Sequence, residues 1–303
     1  MSDILVIGSL NMDLVVRAER MPARGETLPG LDFHTIPGGK GANQAAAAAR
    51  LGGRVAMLGC VGADAFGEQL LENLQGLGVD IGAVRRVAGV SSGVAAILVD
   101  GGGDNRILVV AGANGRVSEE DIRVADDRMR QARLVVMQLE IPLESVLAAA
   151  RSARSVGAPV LLNPAPAREL PEELLGLVDT LVVNEVEAAA LSGLPVGSIE
   201  QGFAAARALL RRGARQVALT LGAQGALVCS AQVTAHVPGF AVQVVDTTAA
   251  GDAFIGGLAV ALLEGKPLER AARFANAAGA LACTRLGAQS SLPARDEVMA
   301  LLG

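Results

Sequence analysis

Aromatic residues are scarce in this chain of 303 residues, which has no tryptophan, no tyrosine and only 6 phenylalanines. A site that stacks nucleic-acid bases or a nucleoside between aromatic rings therefore has few side chains to use. Basic clusters are also lacking, and the formal net charge is −5. Both features argue against a nucleic-acid partner, although a small anion can still be bound locally.

Side chains that bind zinc or form cross-links are few as well. The three cysteines, Cys60, Cys229 and Cys283, are far apart, and the two histidines, His34 and His236, are widely separated. No pair of cysteines has the C-x-x-C spacing. Neither a disulfide framework nor a zinc site is therefore indicated.

Long uncharged apolar runs are missing too. The N-terminal residues MSDILVIGSL lack the basic region of a signal peptide. Every apolar run is interrupted by charges, glycine or proline before it is long enough to span a bilayer. The sequence therefore predicts a cytoplasmic protein without membrane segments.

Short β-branched runs alternate with Ala- and Leu-rich stretches along the chain. The predicted strands are ILVIG near the N-terminus, then RVAMLG, RLVVMQ, PVLLN, TLVVN and QVALTL. The predicted helices cover residues 42–51, 66–77, 119–131, 143–156, 199–212, 251–264 and 268–282. This order predicts an α/β fold with a mostly parallel central sheet and helices on both faces. Because no repeat or linker divides the chain, residues 1–303 are predicted to form one domain.

Two segments, residues 13–36 and 94–110, interrupt this alternation of predicted strands and helices. The first is long and turn-rich, and the second reads as two strands joined at GGGDN. Together they form either a small sheet covering one end of the main sheet, approximately residues 12–36 and 92–111, or an edge hairpin with a surface loop. A lid of this kind would exclude water from a reaction, but the pattern alone slightly favours the plainer alternative.

The segment VVDTTAAGDAF places an acid at the start of a predicted helix. Ala249, Ala250 and Gly251 have no bulk to cover the backbone N–H groups there, and such donors suit a phosphate. Asp252 follows in the first turn. It is either an ordinary N-cap or first-turn acid, or a general base that accepts a hydroxyl proton during phosphoryl transfer. The local pattern leaves both alternatives open.

A glycine-rich segment, PGGKGANQ, leads into the helix predicted at 42–51. Its glycines allow close backbone approach, Lys40 offers a positive charge, and Asn43 lies in the first helical turn. Because Lys40 is followed by Gly41, the segment is not a Walker A loop, and it is not G-x-G-x-x-G either. The alternative is a plain turn with a solvated lysine.

Polar residues follow several predicted strands, where ligands of an open parallel sheet bind. They are Ser9, Asn11, Asp13, Glu140, Asn163, Asn184, Glu187, Thr220 and Gly222. Asn184 and Glu187 share one helical face, so they either hold a hydrated Mg²⁺ or form a capping box, which the spacing alone favours. TLGAQG either wraps a nucleotide or is a hairpin turn.

Taken in order, these segments resemble the ribokinase family of sugar kinases, the PfkB group. The matching segments, over nearly the whole chain, are GSLNMD, GGKGANQAAAAARLG, MQLEIPLES, LNPAPARELP, NEVEA, TLGAQG, DTTAAGDAF and RFANAAGALACTRLGAQ. GGKGAN and DTxAAGD are the two family signatures. One departure is Ile255, where the family often carries asparagine.

The resemblance implies a ribokinase-like fold and an enzyme that phosphorylates D-ribose at O5 with ATP. It also implies a homodimer in which the lid pairs with the lid of a second subunit. Asp252 is implied as the base, and Ala249, Ala250 and Gly251 as the anion hole. The implied contacts to the sugar are Asn11, Asp13, Gly39, Lys40, Asn43 and Glu140.

The same resemblance implies the residues around ATP and the cations. The implied ATP-site residues are Asn184, Thr220, Gly222, Gly225, Gly251 and Asn276. Glu187 is implied to organise Mg²⁺ through water. An activating monovalent cation, K⁺, is implied beside the anion hole, with ligands drawn from Asp246, Thr248, Ala282, Arg285, Gly287 and Ser291.

Several alternatives remain open at this point. The acceptor can be 2-deoxyribose, another pentose, a ketohexose or a nucleoside. The chain can also be a sugar sensor that has lost catalysis on the same scaffold, although the intact Asp252 argues against this. A dinucleotide-dependent oxidoreductase ranks last, because the first strand is followed by GSLN and not by G-x-G-x-x-G.

Overall fold

The computed structural model describes residues 2–303. Its strands are β1 (Ile4–Ile7), β2 (Asn11–Arg17), β3 (Asp32–Gly38), β4 (Val55–Gly62), β5 (Asp80–Val87), β6 (Gly93–Val99), β7 (Asn105–Val110), β8 (Leu134–Met137), β9 (Val160–Leu162), β10 (Thr180–Asn184), β11 (Gln216–Thr220), β12 (Ala226–Ser230) and β13 (Thr234–Val237). Its helices are α1 (Lys40–Arg50), α2 (Ala65–Gly76), α3 (Glu119–Val124), α4 (Asp126–Gln131), α5 (Leu143–Ser155), α6 (Glu172–Leu177), α7 (Glu185–Ser192), α8 (Ile199–Arg211), α9 (Ala250–Leu263), α10 (Leu268–Ala282) and α11 (Arg295–Leu302). None of these helices has both the length and the apolar character needed to cross a membrane.

The main sheet has nine strands in the order β13-β12-β11-β10-β9-β8-β1-β4-β5. The strands from β11 to β5 run parallel, and β12 and β13 add antiparallel pairs at one edge. Side chains of β1 alternate between two cores: Ile4 and Val6 pack on one face, and Leu5 and Ile7 on the other. Helices therefore cover both faces, and the predicted fold class is confirmed.

A separate four-stranded sheet, called the lid below, has the order β3-β2-β6-β7. β2 pairs antiparallel with β3 and parallel with β6, and β6 and β7 form the hairpin predicted around GGGDN. The plainer alternative, an edge hairpin with a surface loop, is therefore wrong. Because β2 starts just after β1 and β3 leads directly into α1, the lid is attached at the carboxyl end of β1.

The helix predicted over residues 119–131 is wrong as a single element. Ser118 and Asp121 form a capping box that starts α3, and α3 ends at Val124, because the C-cap Ala125 has a ψ of 12°, which is not helical. Asp126 and Asp127 then form the acidic first turn of α4. Two helix-start signals within this short segment favour two helices over one. β5, β12, β13, α6 and α11 were not predicted from the sequence, whereas α7 is the helix expected after Asn184.

α1 and α9 pack closely because both present very small side chains. The run from Ala45 to Ala48 is buried, and a Cβ atom on Gly256 would lie only 2.5 Å from Cβ of Ala47. Ile255, the departure from the family pattern, is 2% exposed and belongs to the same apolar core. The close approach brings the first turn of α1 to the first turn of α9.

Candidate active site

α9 begins on a strained turn without a side-chain cap. Its N-cap residue, Ala249, has φ 58° and is the only non-glycine residue among 2–303 with a positive φ. Within the described chain, the backbone N–H groups of Ala249, Gly251 and Asp252 have no hydrogen-bond acceptor, whereas that of Ala250 donates to Thr247 O at 3.2 Å. Bare donors at a helix N-terminus are suited to an anion.

Asp252 is buried and is held by α1, not by its own helix. One carboxylate oxygen, Oδ2, accepts from Asn43 Nδ2 at 3.0 Å, and Oδ1 accepts from Gln44 Nε2 at 3.0 Å. The N-cap position belongs to Ala249, so the interpretation of Asp252 as an N-cap is wrong. Burial raises the pKa of Asp252 above its ordinary value, although Lys40 and the two amides oppose the rise. A raised pKa makes the carboxylate a better proton acceptor.

Lys40 opens α1 and faces three carboxylates. Burial lowers the pKa of the Lys40 ammonium, but Asp252, Glu140 and Glu187 more than offset this, so the pKa is raised. Lys40 is half-buried and not fully solvated, and the segment PGGKGANQ also supplies Asn43 and Gln44 to the Asp252 carboxylate, so it is more than a plain turn.

Asp13 lies on β2 of the lid, and Glu140 lies on the loop after β8. Burial, followed by repulsion from Glu140 and Asp252, raises the pKa of Asp13 to about 7. Glu140 Oε2 accepts from Ser9 Oγ at 2.5 Å and from the backbone N–H of Lys40 at 3.0 Å. Three carboxylates, from β2, α9 and the loop after β8, thus lie close enough to act on one another's charge.

Asn11 is oriented by Asn114, a residue that the sequence analysis missed. Asn114 Nδ2 donates to Asn11 Oδ1 at 2.7 Å, and the Asn114 amide also bonds the backbone N–H of Leu10 at 2.9 Å and its carbonyl at 3.1 Å. Asn11 Oδ1 is therefore occupied, which leaves its amide nitrogen as the group available to a ligand. Asn114 lies in a 3₁₀ turn after the lid, where the sequence carries no signal of this contact.

Asn184 and Glu187 form the capping box that their spacing favours. Asn184 Oδ1 accepts from the backbone N–H of Glu187 at 2.8 Å, and Glu187 Oε2 accepts from that of Asn184 at 3.0 Å. Glu187 is 7% exposed. Burial is the main cause of its raised pKa.

Two further polar residues connect the parts of the cleft and were not assigned to the site from the sequence. Gln44 Nε2 lies 3.3 Å from Asn163 Oδ1, and Asn163 Nδ2 lies 3.5 Å from Glu187 Oε2. Side-chain amides thus link Asp252 to Glu187. Gln44 is the last residue of the segment PGGKGANQ, and Asn163 follows a predicted strand, so the sequence did carry a signal for both.

TLGAQG connects the antiparallel strands β11 and β12, so the hairpin interpretation is confirmed. Gly222 and Gly225 have φ of 52° and 93°, and a Cβ atom on Gly225 would lie 2.2 Å from Val237 O. Asn276 Nδ2 donates to the same carbonyl at 2.9 Å. Thr220 Oγ1 lies 3.4 Å from the carbonyl oxygen of Val183, one residue before Asn184.

Asp246 joins two loops near the start of α9. Its Oδ1 accepts from the backbone N–H of Thr248 at 2.9 Å, and its Oδ2 accepts from that of Gly287 at 2.9 Å. The Ser291 hydroxyl is buried and donates to Ala288 O at 2.8 Å. Within the described residues, no backbone N–H donates to the carbonyl oxygens of Thr248, Ala282, Arg285 and Gly287.

Comparison with known proteins places this site in context. Residues 1–295 match the model of the pfkB family carbohydrate kinases. The chain is 41% identical over 299 residues to ribokinase of Haemophilus influenzae, covering 99% of this chain and 98% of the relative. It is 42% identical over 296 residues to deoxyribokinase of Salmonella typhi, covering 97% of each. A solved structure of Arabidopsis thaliana ribokinase complexed with ribose and ATP matches with a TM-score of 0.93 at 36% identity, covering 99% of this chain and 98% of that chain.

Proposed function

The chain belongs to the pfkB family of carbohydrate kinases, and on that premise we propose that it phosphorylates D-ribose at O5 with ATP, giving ribose 5-phosphate and ADP. The observation that carries this proposal is the position of Asp252. Its buried carboxylate lies in the first turn of a helix whose N–H groups are bare. A proton acceptor and an anion site thus occur side by side.

Asp252 acts as the general base in this proposal. The ribose hydroxyl oxygen attacks the γ-phosphorus, and its proton passes to the Asp252 carboxylate as the bond between phosphorus and the ADP oxygen breaks. The bare N–H groups of Ala249, Gly251 and Asp252 stabilise the negative charge of the phosphoryl group in flight, together with the α9 dipole. Ala250 contributes to this anion hole once its weak bond to Thr247 is exchanged for the ligand.

The sugar is held by donors and acceptors that match its hydroxyl groups. Asn11 donates through its amide nitrogen, and Asp13 and Glu140 accept. Lys40 and Asn43 contribute from the first turn of α1. Gly39 has φ 88°, and a Cβ atom there would lie 2.7 Å from Asn11 N, so glycine lets this loop lie against the sugar-binding strand.

The nucleotide lies against Asn184, Thr220, Gly222, Gly225, Gly251 and Asn276 in this proposal. Glu187 fits a hydrated Mg²⁺, because its Oε1 accepts only from Asn184 Nδ2 at 3.1 Å and retains a lone pair for a bound water. When bound, Mg²⁺ neutralises charge on the phosphates. Glu187 orients that water while the capping box keeps the carboxylate in place.

A monovalent cation fits four backbone carbonyl oxygens to which no backbone N–H of the described residues donates. They belong to Thr248, Ala282, Arg285 and Gly287. Asp246 supplies a carboxylate to the same site, and the Ser291 region completes it. Held by these residues, K⁺ would fix the shape of the loop that leads into the anion hole and would activate turnover without contacting the sugar.

We further propose a homodimer that forms through the lid. The exposed fractions are 72% for Leu108, 59% for Val109 and 57% for Val110 on the edge strand β7, and 58% for Phe33 on β3. An apolar surface of this kind on an edge strand fits a second copy of the same sheet.

The cytoplasmic location of the protein stays a prediction.

A kinase for 2-deoxyribose is the second candidate, because the deoxyribokinase relative is as similar to this chain as the ribokinase relative. A panel of D-ribose, 2-deoxyribose, fructose and adenosine, assayed for ADP formation with ATP and Mg²⁺, tests both candidates. We expect the highest kcat/KM with D-ribose. A preference for 2-deoxyribose would favour the second candidate, and ribose binding without ADP formation would indicate a sensor and overturn the proposal.

A further inference from the structure

Each oxygen of the Asp252 carboxylate ends a chain of buried side-chain amides. On one side, Gln138 Nε2 donates to Gln44 Oε1 at 2.6 Å, and Gln44 Nε2 donates to Asp252 Oδ1 at 3.0 Å. On the other side, Gln289 Nε2 donates to Asn43 Oδ1 at 3.1 Å, and Asn43 Nδ2 donates to Asp252 Oδ2 at 3.0 Å. All of these amide side chains are buried.

The direction of the first chain follows from the chemistry of the carboxylate. An ionised carboxylate only accepts, so Gln44 has to present its NH₂ group to Asp252 and its carbonyl oxygen to Gln138. Gln138 then has to donate, and its own Oε1 has no hydrogen-bond partner within the described residues. That oxygen lies where a Cβ atom on Gly8 would be only 2.0 Å away. A buried acceptor without a partner is costly, and here it is the consequence of an ionised Asp252 at the other end.

A protonated Asp252 would permit the opposite direction. Its O–H could donate to Gln44 Oε1, Gln44 could donate to Gln138, and the unpartnered oxygen of Gln138 would gain a donor. The direction of the hydrogen bonds from Gln138 to Asp252 therefore depends on whether Asp252 is charged. Gln44 is the residue that connects Gln138 to Asp252.

We propose that Gln44 is a positioning residue that keeps Asp252 ionised and fixed in the cleft, and that couples it through Asn163 to Glu187. This inference rests on the function proposed above, in which Asp252 is the base. Asn43 holds the other oxygen but also faces the sugar, so Gln44 is the residue whose contacts are purely internal. Its contacts are Asp252, Gln138 and Asn163.

Other charged groups act on Asp252 from four elements. Lys40 on α1 is the nearby cation, and Glu140 after β8, Asp13 on β2 and Glu187 on α7 are carboxylates. Each of these groups stays in place when Gln44 is replaced. A change in the ionisation of Asp252 in such a variant is therefore assigned to the lost amide.

The test compares Gln44→Met, Gln44→Glu and Gln138→Met in the full chain, with saturating ATP, Mg²⁺ and D-ribose, from pH 5 to pH 9. We expect Gln44→Met to lower kcat about tenfold at neutral pH, with KM for ribose within about twofold of wild type. The acidic limb of its profile of kcat against pH, where Asp252 becomes protonated, moves to higher pH by about one unit. The reason is that the charged Asp252 carboxylate loses the hydrogen bond from Gln44. Gln44→Glu keeps the shape of the side chain but sets a second carboxylate against Asp252, so its limb moves further in the same direction.

Gln138→Met is the matched control for packing, since Gln138 is equally buried and contacts Gln44 but not Asp252. We expect its acidic limb to move by less than half as much as that of Gln44→Met. Acidic limbs unchanged from wild type in both Gln44 variants, with losses that follow only their melting temperatures, would overturn the inference. The outcome for Asp252→Asn separates the two proposals: a variant with near wild-type turnover refutes Asp252 as base, whereas an inactive one leaves only the role of Gln44 to be decided.

Discussion

The first turns of α1 and α9 differ from the lid in where their side chains find partners. Asn43, Gln44 and Asp252 are buried and bonded to one another, so the geometry around the base is built within one chain. All six residues of β7 on the lid are exposed, and they include Leu108, Val109 and Val110. The difference fits a preorganised site for the proposed chemistry and the proposed pairing of the lid with a second copy.

Replacing Asp252, the proposed base, disrupts this buried region and has the largest expected effect. Asp252→Asn removes the proton acceptor but keeps the side-chain shape, so turnover falls by about 10³-fold or more while ribose binding is nearly unchanged. Steady-state ADP formation and calorimetric ribose titration measure the two quantities. A variant that retains most of its turnover would show that Asp252 is not the base.

A charge on the lid tests the other side of the comparison. Leu108→Asp places a carboxylate in the proposed contact between two lids, so we expect monomers in sedimentation and a KM for ribose raised about tenfold, with a smaller change in kcat. Val124→Asp is the control, because Val124 is 73% exposed but lies on α3, outside the lid. A Leu108→Asp protein with the mass and KM of wild type would refute the lid-mediated dimer.

The loops around Asp246 connect to the anion hole but not to the lid, so a cation effect should appear in kcat. We expect turnover in K⁺ to exceed turnover in Na⁺ several-fold at equal ionic strength, because K⁺ is the ion proposed for the carbonyl site. Asp246→Ala should abolish the difference between the two salts. Equal rates for wild type in both salts would remove the cation site from the proposal.

The smallest expected effect concerns stability. The pKa of Asp13 is about 7 in the folded chain against an ordinary value of 3.8, so the folded state binds the extra proton and loses stability as the pH rises from 3.8 to about 7. Asp13→Asn removes this penalty and should raise the free energy of unfolding by about 1–2 kcal/mol at pH 8 relative to wild type.

Denaturant unfolding at pH 4 and pH 8 checks this prediction. The gain should be much smaller at pH 4, where Asp13 is neutral in the folded state and only partly ionised in the unfolded state. A gain that is equal at the two pH values would mean that the charge of Asp13 is not its cause. Ribose binding is expected to weaken in the same variant, since Asp13 is proposed to bind a hydroxyl group.

The sequence predicted the sheet and the two helix starts because their signals are local. GGKGAN and AAGD each carry a turn, a helix start and a polar side chain within a few residues. The contacts that orient Asp252 are not local: Gln44 lies 208 residues from Asp252 and 94 from Gln138 along the chain. The capping role of Glu187 was predictable from its spacing, whereas the contact between Asn114 and Asn11 depends on how the lid returns to β1. The split at Ala125 was missed because apolar periodicity continues through it.

Gly256 lies one turn beyond Asp252 on α9, and its missing side chain sets the distance to Ala47. Asn43 and Gln44 reach the carboxylate only at this helix spacing. A single added methyl group at position 256 would push the two helices apart and lengthen both bonds to the carboxylate, without contacting any ligand. A change of side-chain volume in the core can therefore alter the geometry around the proposed base at a residue that no substrate touches.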